Sequence, residues 1–408
     1  MNPRHLQTTL SRQLEMFPVV AVLGSRQAGK TTLLDLAGAG RTRFDLELSS
    51  DRLQITGDPD VFLRQQTQPV SIDEAQMAPE LFPALRVAID RDRSAKGRYL
   101  LTGSSSPQLS KAIAESLAGR IALLELGPFS LAEAYQQPPA MLYQRLIDRA
   151  PPAQVAAESV PRVTLSETLS YWFHGGYPEP WLSNDDAFRQ TWQRNYIETY
   201  LLRDIGALFP NLNRDRFRQF IQLLPNVSGT ILNNAEIART LAVSEPTVRD
   251  WLTIAHGTFL WRHIPAWHRS PHKQLVKHPK GYVRDSGLLH RLLYLNDAQA
   301  LRVHPIQGRS WEGLVVEQLL RGFASLGATI APYHYRTRGG AEIDLILDGD
   351  AGLVPVEIKL ASATPRKELT ALREFVSDND CAIGLVINND ERSRQLDDRI
   401  VSIPAAAL

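Results

Sequence analysis

The spacing of hydrophobic positions changes period several times along the chain, and each change predicts an element. Val19-Val20-Ala21-Val22-Leu23 is an unbroken, β-branched apolar run, the pattern of a strand buried on both faces. Leu6 to Phe17 ahead of it has helical spacing, and Leu33-Leu34-Asp35-Leu36 behind it begins a second helix. Thr42 to Leu48 alternates polar and apolar residues, as a half-buried strand does. Pro69-Val70-Ser71-Ile72, Arg98-Tyr99-Leu100-Leu101 and Ile121 to Leu126 predict three more strands. From Ser130 to Asp204 the spacing is mostly helical, broken at Pro138-Pro139 and Pro151-Pro152. Its aromatics, Tyr171-Trp172-Phe173 and Trp192, Tyr196 and Tyr200, predict packing between helices rather than a base-stacking surface.

Further on, Asn234–Leu241 and Glu245–Leu252 predict two helices joined by a turn at Ala242-Val243-Ser244. Ser244 suits the N-cap of the second and Pro246 its first turn. Ile237, Leu241, Val243, Val248 and Leu252 fit a helix-turn-helix core, and Phe259–Ile264 with Gly281–Arg284 fit the strands of a wing. Trp311 to Leu320 is an amphipathic helix; Glu342–Leu347 and Val354–Lys359 are apolar strands with charges placed inside them.

At 408 residues the chain is long for a single core, so two to four domains are expected. Its 45 basic and 44 acidic residues leave a net charge of +1, which implies no polyanion partner by itself. The lone cysteine, Cys381, excludes an internal disulfide framework and suits a reducing compartment. No run approaches the length of a membrane span and the first residues lack the apolar stretch of a signal peptide, so a cytoplasmic protein without membrane partners is expected.

The candidate chemistry begins after the first apolar strand. Gly24-Ser25-Arg26-Gln27-Ala28-Gly29-Lys30-Thr31-Thr32 has the spacing G-x-x-x-x-G-K-T between a strand and a helix, the context a phosphate-binding loop requires. The glycines permit a tight turn whose N–H groups converge on phosphate, Lys30 reaches β- and γ-phosphates, and the Thr31 hydroxyl ligates Mg²⁺. A plain Gly-rich turn is the competing explanation. Asp73-Glu74 ends the next apolar strand, where parallel sheets present ligands. Asp73 is the candidate for orienting Mg²⁺ and Glu74 the base that positions water, against the plain alternative of a solvated turn. Ser104 and Ser105, ending another strand, are candidates for hydrogen bonds to the γ-phosphate or water. Arg120 is either a transition-state arginine, in its own or a neighbouring subunit, or a helix-terminal charge offsetting the dipole.

The series G-S-R-Q-A-G-K-T-T, S-I-D-E-A-Q, L-L-T-G-S-S and L-A-G-R-I resembles a bacterial and archaeal family of AAA-type ATPases. In that family the ATPase core is followed by a domain of unknown function with a nuclease-like fold. Gly175-Gly176-Tyr177-Pro178-Glu179, the helix Tyr196 to Ile205 and Lys277-His278-Pro279-Lys280-Gly281-Tyr282 through Asp285 and Leu288 match the family's later motifs, so the resemblance spans nearly the whole chain. It implies ATP and Mg²⁺ as ligands of Lys30, Thr31, Asp73 and Glu74, and a ring-forming habit that makes a homo-oligomer the expectation.

Trp251 to Arg284 contains no acidic residue and carries Arg262, Arg269, Lys273, Lys277, Lys280 and Arg284 with five histidines. Such a segment, residues 251–284, predicts DNA contact by a winged helix; protein contact within an oligomer is the alternative. In the last domain, Asp344, Glu357 and Lys359 look like the D-x(n)-E-x-K core of PD-(D/E)-x-K nucleases, with Glu312 as the helix carboxylate. In a working site Asp344 and Glu357 would bind Mg²⁺ with help from Glu312 and the Ile358 carbonyl, and Lys359 would stabilise charge or orient water.

The resulting expectation is an α/β protein in four parts: a P-loop (AAA-type) parallel-sheet ATPase core over 1–130, a helical lid over 131–212, a winged-helix domain over 213–300 and an α/β restriction-endonuclease-like domain over 301–408. Two functions fit: an ATPase acting on DNA with a nuclease-like effector or docking domain, or a nucleotide-gated interaction protein whose nuclease-like domain is silent.

Overall fold

The computed structural model describes residues 2–38, 40–104, 113, 115–205, 212–269, 278–337 and 339–408. They form two compact units, one made largely of residues 3–128 and the other largely of residues 129–408. Among the described residues no helix is long and apolar enough to cross a membrane.

The first unit is built on a parallel sheet. Helix α1 (Leu6–Met16) leads into β1 (Val19–Gly24), followed by α2 (Lys30–Ala37), β2 (Thr42–Asp45), α3 (Ser49–Gly57), α4 (Pro59–Gln65) and β3 (Val70–Asp73). Then come α5 (Leu81–Arg91), β4 (Tyr99–Ser104) and β5 (Ile121–Leu126). The strands lie in the order β2-β3-β4-β1-β5, all parallel. The apolar run of β1 is explained by this order, because β1 is paired on both edges and covered on both faces. Val19 and Ala21 join one core, and Val20 and Val22 the other, as alternation along a strand requires. The chain leaves β1 for a strand three places away, so the loop after β1 opens at a crossover point on the carboxyl edge of the sheet.

The second unit begins with helices that include α6 (Leu165–His174) and α7 (Asp186–Tyr196), the latter continuing as a π-helix over Ile197–Asp204. Next are α8 (Arg214–Val227), β6 (Thr230–Ile231), α9 (Asn234–Leu241), α10 (Glu245–Gly257), β7 (Trp261–Ile264), β8 (Lys280–Val283) and α11 (Ser286–Leu292). Asn233 caps α9 through the Glu236 N–H, and the Ser244 hydroxyl accepts from the Thr247 N–H at the start of α10. Strands β6, β8 and β7 form a small antiparallel sheet in that order.

Helix α12 (Gln307–Ser325) follows, then β9 (Ile330–Arg336), β10 (Glu342–Gly349), β11 (Gly352–Ile358), α13 (Thr370–Asp378), β12 (Gly384–Asn388), β13 (Arg394–Gln395) and β14 (Ile400–Pro404). Their sheet runs β13-β14-β12-β11-β10-β9; β9, β10 and β11 are antiparallel neighbours, and β11, β12 and β14 are parallel. One hydrophobic cluster runs from Phe129 through Tyr171, Trp251, Trp261 and Trp311 to Leu408. The helices of residues 131–212 therefore share their core with the small sheet and with the last sheet. The stacked aromatics Trp192 and Tyr196 belong to this packing, as their spacing predicts.

Candidate active site

The phosphate loop is shaped by two close constraints. A Cβ at Gly24 would lie 2.1 Å from the Leu126 carbonyl oxygen, so β1 and β5 meet there only through glycine. Gly29 sits at φ 92°, and Gln27 also adopts a left-handed conformation at φ 61°; alternating hands of this kind curl main-chain N–H groups toward a common point. Lys30 opens α2 and is buried, its ammonium donating to the Gly24 carbonyl at 3.2 Å, the Ser25 carbonyl at 3.0 Å and Ser104 Oγ at 3.4 Å. Burial lowers its pKa below the usual lysine value, while Glu74 and Asp73 act in the opposite direction.

Asp73 ends β3 nearly inaccessible to solvent. Its Oδ2 accepts from Thr31 Oγ1 at 2.8 Å, and its Oδ1 accepts from the Thr102 hydroxyl of β4 and from the Glu74 N–H at 3.2 Å. Arg43 of β2 lies 3.6 Å from Oδ2. Glu74 turns the chain sharply at φ 55°, and its carboxylate contacts the Gln76 amide. Arg26 is exposed and 3.6 Å from Glu47. Ala28 is fully buried, and the buried Ser25 hydroxyl makes no hydrogen bond among the described residues. Thr31 and Asp73 supply hard oxygens, Lys30 a cation and Ser25 a free donor, which is a set suited to phosphates carrying Mg²⁺.

The sheet thus brings together Gly24, Ser25, Gly29, Lys30, Thr31, Asp73, Glu74 and Ser104. Ser105 lies outside the described residues. Arg120 does not join them. It precedes β5, whose Ile121 pairs with Val19, whereas Gly24 pairs with Leu126 at the other end. About five residue steps, about 17 Å, separate the two ends. Arg120 instead forms a two-pronged pair with Asp90 of α5 at 3.0 and 2.9 Å, so within one chain it cannot reach the loop. Thr102, Arg43 and Arg4, which contact Asp73 or the loop, were not singled out by the sequence; only proximity of β2, β3 and β4 reveals the first two.

The second group of predicted residues lies at α12 and the last sheet. Glu312 is buried, and its Oε1 is bound by the Lys280 ammonium and the Tyr282 hydroxyl, both from β8. Lys280 also lies 3.7 Å from Glu342. Burial opposes its charge, but Glu312 and Asp344 outweigh that and raise its pKa. Asp344 falls where the β9–β10 register shifts, and its Oδ2 accepts the Ile358 N–H at 2.8 Å. Lys359 donates to Glu357 at 2.7 Å, as their shared strand face predicts. Burial first, and Asp344 next, push Glu312 up to about 7 and raise Glu357.

Among the described residues no three His, Cys, Asp or Glu side chains form a group that could hold a metal ion. Lys280 engages Glu312 and Lys359 engages Glu357, while Asp344 is held by the Ile358 N–H.

Part of the basic segment also turns inward. Arg262 and Arg284 turn inward onto Glu317, one helical turn and a half beyond Glu312 on α12. Arg262 Nε lies 2.6 Å from Oε1, and Arg284 Nη2 lies 3.0 Å from Oε2, with Arg321 at 3.6 Å. Burial of Glu317 opposes its charge, yet Arg262 and Arg284 more than offset this and hold it at about 2. Three of the six basic residues therefore serve α12 rather than the surface. Arg269 is exposed and donates to the Asp378 carbonyl at 3.0 Å; Lys273 and Lys277 lie outside the described residues.

The parallel sheet and its phosphate loop define an AAA-type P-loop ATPase core, and the model of an AAA domain matches residues 16–135. Two models of domains of unknown function match residues 166–299 and 307–408. The chain belongs to the family of the uncharacterized protein Rv2008c of Mycobacterium tuberculosis, to which it is 33% identical over 404 residues, 98% of this chain and 83% of that protein. The uncharacterized protein Mb2031c of Mycobacterium bovis matches to the same extent. Among solved structures, the Walker-type ATPase PABY2304 of Pyrococcus abyssi is similar at 18% identity and a TM-score of 0.42, covering 72% of this chain and 96% of that one. RuvB of Thermotoga maritima is similar at 15% identity and a TM-score of 0.30, covering 64% and 89%.

Proposed function

We propose that the chain is an ATP-hydrolysing switch whose second unit is a docking module for a protein partner. The observation that carries the catalytic half is the Thr31–Asp73 contact beside buried Lys30 at the carboxyl edge of the parallel sheet. Lys30 and the loop N–H groups bind the phosphates; Thr31 and Asp73 would hold Mg²⁺, which supplies neutralisation of phosphate charge when bound. Glu74, next to Asp73 on a tight turn, orients water for in-line attack, and Ser104 contributes a hydrogen bond at the γ-phosphate. Arg120 then acts only in a neighbouring copy's site, which requires an oligomer.

The docking half rests on the lysine-paired carboxylates. The order α12, β9, β10, β11, α13, β12 supports a nuclease-like fold of the PD-(D/E)-x-K kind, but its Glu312 and Glu357 are engaged by Lys280 and Lys359. A competing reading, action on DNA, draws support from the order α8, β6, α9, α10, β7, β8, which is that of a winged helix. Against it, the exposed positions of α10 include Glu245 and Asp250 against Arg249, and such a face attracts no phosphate backbone.

Steady-state ATP hydrolysis, measured alone and with single-stranded, duplex and branched DNA, separates the two. Turnover that Lys30→Ala abolishes and that no DNA stimulates is the expected result. Severalfold stimulation by DNA, lost at higher salt, would move the DNA reading ahead.

A further inference from the structure

We infer that Arg4 is a positioning residue for the phosphate loop: its guanidinium holds the Ala28 carbonyl away from the nucleotide and thereby aims the Gly29 N–H at the phosphates. This rests on the nucleotide-binding reading above. Arg4 precedes α1 and is buried. Its Nη1 donates to the Ala28 carbonyl at 2.6 Å, and its Nη2 donates to the Gly127 carbonyl at 2.6 Å and lies 3.5 Å from that of Pro128.

The consequence follows from peptide geometry. No cis peptide bond occurs among the described residues, so the Ala28–Gly29 peptide is trans and its N–H points opposite to its carbonyl. Fixing the oxygen on Arg4 fixes the hydrogen on the concave side of the loop. A peptide beside glycine is the one most free to rotate, because Gly29 tolerates both hands of backbone. Rotated the other way, it would present a carbonyl oxygen to phosphate, a repulsive contact in place of an attractive one. The guanidinium also polarises the peptide in the useful sense, drawing negative charge to the oxygen.

Its second prong ties the loop to the residue after β5, the strand whose Leu126 carbonyl abuts Gly24. The rigid fork of arginine can serve both carbonyls together; lysine offers a single ammonium with no fork.

The test compares wild type with Arg4→Ala, Arg4→Gln and Arg4→Lys in steady-state hydrolysis and in titration with a fluorescent ATP analogue. An oriented N–H that binds ground and transition states alike appears in KM. Arg4→Ala should raise KM and the analogue's Kd about tenfold, with kcat changed by less than about threefold. Arg4→Lys should fall between. A residue needed only for folding would lower the active fraction, hence kcat, at unchanged KM; that result overturns the inference, as does a wild-type KM in Arg4→Ala. If Arg4→Ala does not fold, Arg4→Gln decides, a raised KM supporting and an unchanged KM overturning. Should wild type neither bind nor hydrolyse ATP, the nucleotide reading falls and this inference with it. An active wild type with an indifferent Arg4→Ala removes this inference alone.

Discussion

Two of the buried carboxylate sites among the described residues are finished differently. At the end of β3, Asp73 has its two oxygens on the hydroxyls of Thr31 and Thr102, neutral groups, while the partly exposed Arg43, 3.6 Å away, is shared with Asp35 and compensates its charge only in part. At α12, Glu312 is met by Lys280 and Glu317 by arginines, so each charge is answered from within the fold. A buried carboxylate held by hydroxyls is prepared for an incoming cation, whereas one held by an ammonium is already complete. The first arrangement is that of a site awaiting a ligand, and the second that of a joint between elements. Residue types alone do not separate them, because both contain Asp or Glu beside Lys in an apolar strand or helix.

The largest effect expected from this contrast is catalytic. Glu74→Gln should lower kcat for ATP by about 10²–10⁴-fold while ATP affinity is retained, since a water-positioning group is lost and the phosphate contacts are not. Wild-type turnover in that variant would remove Glu74 from the mechanism.

Next is a stability effect confined to the joint. Glu317→Gln leaves Arg262, Arg284 and Arg321 without their carboxylate and should destabilise the second unit by about 3–5 kcal/mol. Its pH dependence has a definite sign. The folded pKa is depressed to about 2 from an ordinary 4.5, so the stabilisation by Glu317 is full above about pH 4.5 and lost as pH falls toward 2. Thermal melts of wild type and variant should therefore converge between pH 4.5 and 2. A gap that stays constant over that range would mean that packing, not charge, holds the joint.

A third measurement sharpens the comparison at Lys280. With that ammonium in place, Mn²⁺ titration without nucleotide should give the same binding in wild type and Asp344→Ala. An ion bound by wild type and lost in Asp344→Ala would make the two sites alike and restore the nuclease reading. The smallest effect is expected at Arg120, which faces away from the loop. Arg120→Ala should move the melting temperature only slightly, because its pair with Asp90 is partly exposed. If it acts across subunits, mixing it with Lys30→Ala protein should recover hydrolysis that neither variant shows alone.

Much of the first unit was legible from its pattern. The phosphate loop is a local device: a strand, a turn needing glycine and a helix start lie within a few residues, so spacing determines the geometry of Gly24 to Thr32. Asp73 was legible for the same reason, since an apolar strand ending in a carboxylate must present it at the sheet edge. Arg4 was not, because its partners Ala28 and Gly127 are far from it in sequence. Only the own-subunit half of the Arg120 expectation conflicts with the fold. A Gly-Arg pair before a strand says that a charge is there, but only parallel pairing with β1 tells which end of the sheet it occupies.

The acid-free segment is the clearest division between the two kinds of information. The sequence by itself determined that Trp251 to Arg284 is basic and that its strands alternate, which places Lys280, Tyr282 and Arg284 on one side. Only the tertiary structure decided what that side faces: α12, whose Glu312 and Glu317 lie dozens of residues further along and offset part of the charge a local count records. Alternation is a property of neighbouring residues and can be read along a chain. Charge compensation depends on contact between distant segments, and Coulomb energy follows distance in space rather than separation in sequence.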